Sequence, residues 1–143
     1  MVLISKEVHF CAAHKLFNPS WSREKNEEIF GPCANENWHG HNFNLIVTIS
    51  GEPDPETGFV MNFKELKRLV ENFVIEKVDH KNLNLDVSFL QGKLPTCENL
   101  VRAFWDILKP EIKSASSGRA DLYSLKLYET PTSYAEYSGS RMK

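Results

Sequence analysis

The feature that most restricts the fold of this 143-residue chain is the run His39-Gly40-His41-Asn42-Phe43-Asn44-Leu45-Ile46-Val47-Thr48-Ile49. Its second half is β-branched and apolar, which predicts a strand over 43–50. Residues two apart on a strand project from the same side, so His39 and His41 can converge on one ion from adjacent pleats. Gly40 between them leaves that side open. Two imidazoles alone describe a solvated turn as well as half of a metal site, and the rest of the chain decides between these.

His14, in Phe10-Cys11-Ala12-Ala13-His14-Lys15-Leu16, closes the opening apolar run. The two alanines leave room beside it, and a third nitrogen donor completes a three-histidine set. Three histidines with one position left for water or substrate make the catalytic form of a zinc site, whereas four protein ligands close a structural one. Cys33 falls just upstream, in Gly31-Pro32-Cys33-Ala34. It is either a fourth ligand or a free thiol beside the metal, activated because a nearby cation lowers a thiol pKa. Spacing leaves both open.

Composition narrows the classes. Seventeen basic and nineteen acidic residues are mixed along the chain for a net charge of −2, without a basic stripe, so no nucleic-acid partner is expected. No window approaches a membrane span. Met1-Val2-Leu3-Ile4 gives way at once to Ser5-Lys6-Glu7, so no secretory leader is expected. Three widely spaced cysteines describe no disulfide framework and fit a reducing cytoplasm. The length predicts one domain, 1–143.

In chain order, residues 2–12 alternate as a strand with Ile4, Val8, Phe10 and Ala12 inward; His14 continues that parity, and His9 falls on the polar one. A long connection over 17–38, with a short charged helix within 21–28, delivers Cys33; connections of this length are uncommon unless functional. Phe59-Val60-Met61 is expected to return as a strand forming a hairpin with 43–50, after a turn over 51–58. Asn62, with Glu65 three residues on, predicts a capped helix burying Phe63, Leu66, Leu69, Val70, Phe73 and Val74. Asp79-His80 follows, either a helix end or a base with its orienting carboxylate. Thr96 caps a second helix, with Leu100, Phe104, Ile107 and Leu108 buried, that ends at Lys109-Pro110. A flexible Ser/Gly-rich connector over 114–121 leads to a closing hairpin of 122–129 and 133–137. There Glu129 shares strand parity with Tyr123, Leu125 and Leu127. The order predicts an α+β fold: an antiparallel sheet built mainly from two hairpins, with two helices on one face.

These segments, with Gly58-Phe59-Val60-Met61-Asn62-Phe63, Asp79-His80-Lys81-Asn82-Leu83-Asn84, Thr96-Cys97-Glu98-Asn99 and Tyr128-Glu129-Thr130, occur in an order that resembles the 6-pyruvoyltetrahydropterin synthase family over nearly the whole chain. The resemblance implies the tunnelling fold (T-fold), in which subunits join their sheets into barrels and two trimeric rings stack as a homohexamer. It implies a catalytic zinc on His14, His39 and His41, and a proton-transfer group of Cys33, Asp79 and His80. It further implies that Glu129 holds the pterin ring, that Thr96, Cys97 and Glu98 line its pocket, and that the substrate is 7,8-dihydroneopterin triphosphate. Cys97 stands where the family usually has Ser or Thr. Lys15 is a candidate for phosphate contact. A related enzyme, 6-carboxytetrahydropterin synthase of the queuosine route, shares site and substrate but also releases acetaldehyde. The five residues between Cys33 and His39, with Met61-Asn62 and the 79–84 run, look closer to the pyruvoyl enzyme. The reading from another class is a non-catalytic protein whose Cys33 closes a site of one cysteine and three histidines.

Overall fold

In the computed structural model, which describes residues 1–140, β1 (Val2–His14) and β2 (His39–Gly51) pair antiparallel along their whole lengths, from Val2 opposite Gly51 to His14 opposite His39. The last three residues of the expected 1–143 unit lie outside that range. Both strands start or end further out than their apolar runs, because the histidines themselves take strand rungs. β4 (Ala120–Thr130) covers the other edge of β2, and β5 (Ser133–Tyr137) returns beside β4 around a short turn. A two-residue β3 (Lys81–Asn82) runs parallel to β1, giving the order β3-β1-β2-β4-β5.

The helices lie on one face of this sheet. α2 (Phe63–Val70) packs over β1, and α4 (Cys97–Ala115) over β4. Alternation along β1 and β2 turns Val8, Phe10, Phe43, Leu45, Val47 and Ile49 toward them, all buried. Phe10 stacks on Phe43 with centroids 4.7 Å apart, and Phe104 of α4 meets Phe10 edge-on at 5.9 Å. The opposite face carries the polar parity, including the exposed His9 and Cys11.

The α+β class and the closing hairpin are as expected, and several local readings are corrected. Phe59–Met61 is not a strand. β2 is already paired on both edges, so no ladder is left for that segment, and Val60 and Met61 are buried as loop residues instead. Asp54 shapes the preceding turn, its Oδ1 accepting the amides of Glu56 and Thr57 at 2.8 and 3.0 Å. The sheet therefore has one tight hairpin, β4–β5, while the antiparallel pairs β1–β2 and β2–β4 are joined by long connections.

Asn62 caps α2 through Lys64 N–H at 2.8 Å, but Glu65 turns to Arg68 rather than back to the cap, and Phe63 is exposed. Beyond α2 the chain adds a π-helical turn, Glu71–Ile75, and a last short helical turn, α3 (Glu76–Val78), before Asp79. α4 runs through Pro110 to Ala115; Pro110 and Asp106 are both exposed, so water can serve the carbonyl that the missing N–H leaves free. The expected flexible connector shrinks to residues 116–119, where the buried Ser116 Oγ accepts Ala120 N–H at 3.0 Å. The charged helix is α1 (Arg23–Phe30), capped by Ser22. Tyr123 falls at a bulge in β4, which removes it from the parity of Leu125, Leu127 and Glu129.

Candidate metal centre

Three elements converge at one end of the sheet, on the helix-bearing face. His14 ends β1, His39 and His41 open β2, and Glu129 is the penultimate residue of β4. The pairing of His14 opposite His39 sets two imidazoles on one rung, and strand parity adds His41. Ring centroids are 4.6 Å apart for His14–His39, 5.2 Å for His14–His41 and 4.9 Å for His39–His41. One potential ligand atom from each of the four side chains lies within 4.8 Å of the others.

The hydrogen bonding of this cluster has a consistent polarity. His14 is wholly buried, and its Nδ1 lies 2.8 Å from Pro95 O, which as a carbonyl can only accept. The Nδ1 therefore carries the proton, and the Nε2 lone pair faces the cluster. Glu129 Oε1 lies 3.3 Å from that Nε2 and 3.2 Å from His41 Nε2. Neither nitrogen has a hydrogen-bond partner, and both ring nitrogens of His39 are buried without one. Burial pushes His14 and His39 below the ordinary histidine value, with the neighbouring imidazoles acting in the same direction, so both are neutral at pH 7. A neutral imidazole lone pair against a carboxylate oxygen is repulsive unless a cation lies between them. The donor set, imidazole nitrogens with a carboxylate oxygen, fits a zinc-like divalent ion.

Cys33 is not part of this group. It sits half-buried in a 3₁₀ turn, Gly31–Ala34, whose Cys33 carbonyl accepts Leu16 N–H at 2.7 Å. A site closed by one cysteine and three histidines is thus not what the chain assembles; its fourth member is Glu129. Asp79 and His80 lie at the outer edge of β1. Asp79 Oδ1 accepts Cys11 N–H at 2.9 Å and lies 3.0 Å from His80 Nδ1, while His80 N–H donates to Cys11 O at 2.6 Å. The Cys11 amide holds the Asp79 carboxyl below the usual carboxylate range, reinforced by His80. His80 has a left-handed backbone, φ 60°, and an exposed ring. The anchors of Cys33 and His80, Leu16 and Cys11, are five residues apart, Cys11 within β1 and Leu16 beyond its end. Among the described residues no contact joins the thiol to the Asp79-His80 pair, and the cavity beside His80 is not lined by Cys33.

Thr96, Cys97, Glu98 and Glu129 do come together, lining a cavity of about 300 Å³ with Ser133 and Tyr134. Thr96 caps α4 through Asn99 N–H at 3.2 Å. The Cys97 thiol donates to Leu127 O at 3.0 Å, and burial pushes its pKa up to about 11, which keeps it protonated. Lys15 Nζ lies over the Trp38 ring at 4.4 Å, and the Lys15 backbone is clamped at both ends by the Asn84 amide at 3.0 Å. An added Cβ at Gly40 would meet only Ala12 at 3.4 Å, so the strand itself does not demand glycine there.

Sequence reasoning missed three features here: the approach of Glu129 to the imidazoles, the Pro95 carbonyl behind His14, and the Asn84 clamp. Only the first had a signal, the parity of Glu129 with Leu125 and Leu127.

Residues 3–140 match the family model described as 6-pyruvoyl tetrahydropterin synthase. The 6-pyruvoyl tetrahydrobiopterin synthase of Pongo abelii is 39% identical over 136 residues, covering 95% of this chain and 90% of that protein. The 6-carboxy-5,6,7,8-tetrahydropterin synthase of Bacillus subtilis is 30% identical over 137 residues, covering 94% and 83%. Among solved structures, the 6-pyruvoyl tetrahydropterin synthase of Caenorhabditis elegans superposes with a TM-score of 0.84 at 35% identity, covering 97% of this chain and 96% of that one.

Proposed function

The chain belongs to the 6-pyruvoyl tetrahydropterin synthase family and has its tunnelling fold, and on that premise we propose that it converts 7,8-dihydroneopterin triphosphate to 6-pyruvoyltetrahydropterin and triphosphate, using zinc on His14, His39 and His41. The observation that carries this reading is the cluster of three imidazoles and a carboxylate, its buried ring nitrogens without hydrogen-bond partners, beside a cavity lined by Thr96, Cys97 and Glu98. The pyruvoyl reaction is preferred to the carboxy one because the relatives with that name share up to 39% identity, against 30% for the Bacillus subtilis protein.

His14, His39 and His41 would hold the zinc, which when bound would supply Lewis acidity and so make a substrate C–H next to an oxygen more acidic. His14 is pre-set for it, with the tautomer fixed by Pro95. Cys33 takes the substrate proton as thiolate. His80 relays a second proton at Nε2, its Nδ1–H held by the Asp79 carboxylate. Glu129 accepts two N–H bonds from the aminopyrimidine edge of the pterin. The protonated Cys97 thiol stays a hydrogen-bond donor in the pocket wall. Because Cys33 and the Asp79-His80 pair are separated within one chain, the working unit is an assembly in which a neighbouring copy completes the relay. We assign this to a homohexamer of two stacked trimers in the cytoplasm.

The test is to incubate metal-loaded protein with dihydroneopterin triphosphate and assay triphosphate, acetaldehyde and pterin product together. Triphosphate without acetaldehyde is expected; acetaldehyde in step with triphosphate would reassign the chain to the carboxy reaction. In parallel, Cys33→Ala is expected to keep its metal and lose turnover, and His39→Ala to lose both. Equal metal loss in the two variants would return Cys33 to the ligand set.

A further inference from the structure

Near the metal end, the outer edge of β1 and of the residue that follows it is served, rung by rung, by the segment after α3. His80 N–H donates to Cys11 O at 2.6 Å, and Leu83 N–H to Ala13 O at 2.8 Å. At Lys15 the main-chain partner ends, because β1 stops at His14 and β3 at Asn82. A side chain takes over there. Asn84 Oδ1 accepts Lys15 N–H and its Nδ2 donates to Lys15 O, both at 3.0 Å. The turn that carries Asn84 is itself pre-set: Asn82 Oδ1 accepts the amides of Asn84 and Leu85 at 2.9 and 3.2 Å, and Asp86 Oδ2 accepts Asn82 N–H at 2.9 Å.

Lys15 C=O and Leu16 N–H belong to one planar peptide group. Asn84 holds the carbonyl end of that plane, and the amide end donates to Cys33 O at 2.7 Å. The plane fixed by Asn84 is therefore the one from which the thiol-bearing turn, Gly31–Ala34, is suspended. Among the described residues this is the one backbone hydrogen bond from that turn to β1 or to the residues that directly follow it. The far end of the same segment is also tied to Lys15, whose Nζ lies 4.4 Å from the centre of the Trp38 ring. With the amide removed, the Lys15 carbonyl must seek another donor, and tilting the plane to find one swings Leu16 N–H off Cys33 O.

Resting on the proton transfer proposed above for Cys33, we propose that Asn84 is a positioning residue for the thiol: by holding the Lys15–Leu16 peptide plane it aims the Cys33 turn and sets where the thiolate meets the substrate C–H. The metal ligands keep their own bonds, since His14 is tied to Pro95 O and not to Asn84.

The metal-loaded, full-length protein is treated with iodoacetamide, and alkylation of Cys33 alone is followed from the mass of its peptide, beside steady-state kinetics with 7,8-dihydroneopterin triphosphate. In Asn84→Ala, Cys33 is expected to alkylate several-fold faster and kcat to fall roughly ten- to a hundredfold, with KM and bound metal as in the wild type. Ser116→Ala is the stability control: it removes a buried partner of Ala120 N–H at the opposite end of the sheet and is expected to alter neither reading. An unchanged Cys33 rate, an unchanged kcat, a fall in kcat matched by the control, or a loss carried by KM or by missing metal would each overturn the assignment. Should Asn84→Ala fail to fold, Asn84→Ser, too short to span both Lys15 groups, is read in the same way. If the wild type gives no turnover, the proposed reaction fails, and alkylation alone decides the suspension of the turn: a faster rate in the variant retains it and an equal rate removes it.

Discussion

The imidazole cluster sets a pH limit through burial. His14 and His39 are held below the ordinary histidine value, so protonation favours the unfolded, metal-free chain over the folded one. Their contribution to stability is complete above the unfolded value of about 6.5 and is lost as pH falls below it toward the depressed folded values. Thermal midpoint and bound metal, measured from pH 7.5 to 5, are expected to decline together below about 6.5; a flat profile would contradict the neutral cluster. At this scale the sequence was most legible where parity did the work. A strand period of two predicted His39 and His41 together, and the apolar parity of β1 reached His14. The meeting of Glu129 with them depends on the β2–β4 register, Asn44 opposite Tyr128, which no local pattern encodes. Trp38 was equally silent: a bulky residue at φ 68° gives no sign in its own letter.

Between β1 and β2 the long connection is organised by an amide in its middle. Asn26 is wholly buried, its Oδ1 accepting Asn18 N–H at 2.6 Å and its Nδ2 donating to the carbonyls of Asn18 and Ser22 at 3.0 and 2.9 Å. Truncating it strands several polar groups away from water. Asn26→Ala is expected to destabilise the protein by about 2 kcal/mol, read from the denaturant midpoint at unchanged slope. A loss below about 0.5 kcal/mol would mean that the connection is held elsewhere. In sequence, Asn26 belongs to a run of charges and looks like a solvated helix face. Its burial follows from the chain folding back on itself, with Leu16 N–H bonded to Cys33 O, a contact across seventeen positions. Pro110 misled for the opposite reason. Proline usually stops a helix, but on the exposed side of α4 the unserved carbonyl costs little beyond the bond itself.

The whole sheet places its chemistry at both edges of one strand pair. Class, helix count on the covered face and the closing hairpin were all legible from alternation and capping, while the hairpin expected at 59–61 failed because a segment cannot know that both edges of β2 are taken. What the local pattern also could not supply is that Cys33 hangs from Leu16 and His80 from Cys11, with β1 acting as a spacer between them. For the assembly proposed here this spacing has a genetic expression. Cells carrying Cys33→Ala on one gene copy and His80→Ala on the other make two kinds of subunit, each dead in its own homo-oligomer. In mixed rings, however, some neighbouring pairs join an intact thiol to an intact imidazole. Such cells are expected to recover a fraction of wild-type activity, whereas a single copy bearing both substitutions recovers none. Silence in the mixed cells, with mixed oligomers shown to form, would place the relay inside one chain.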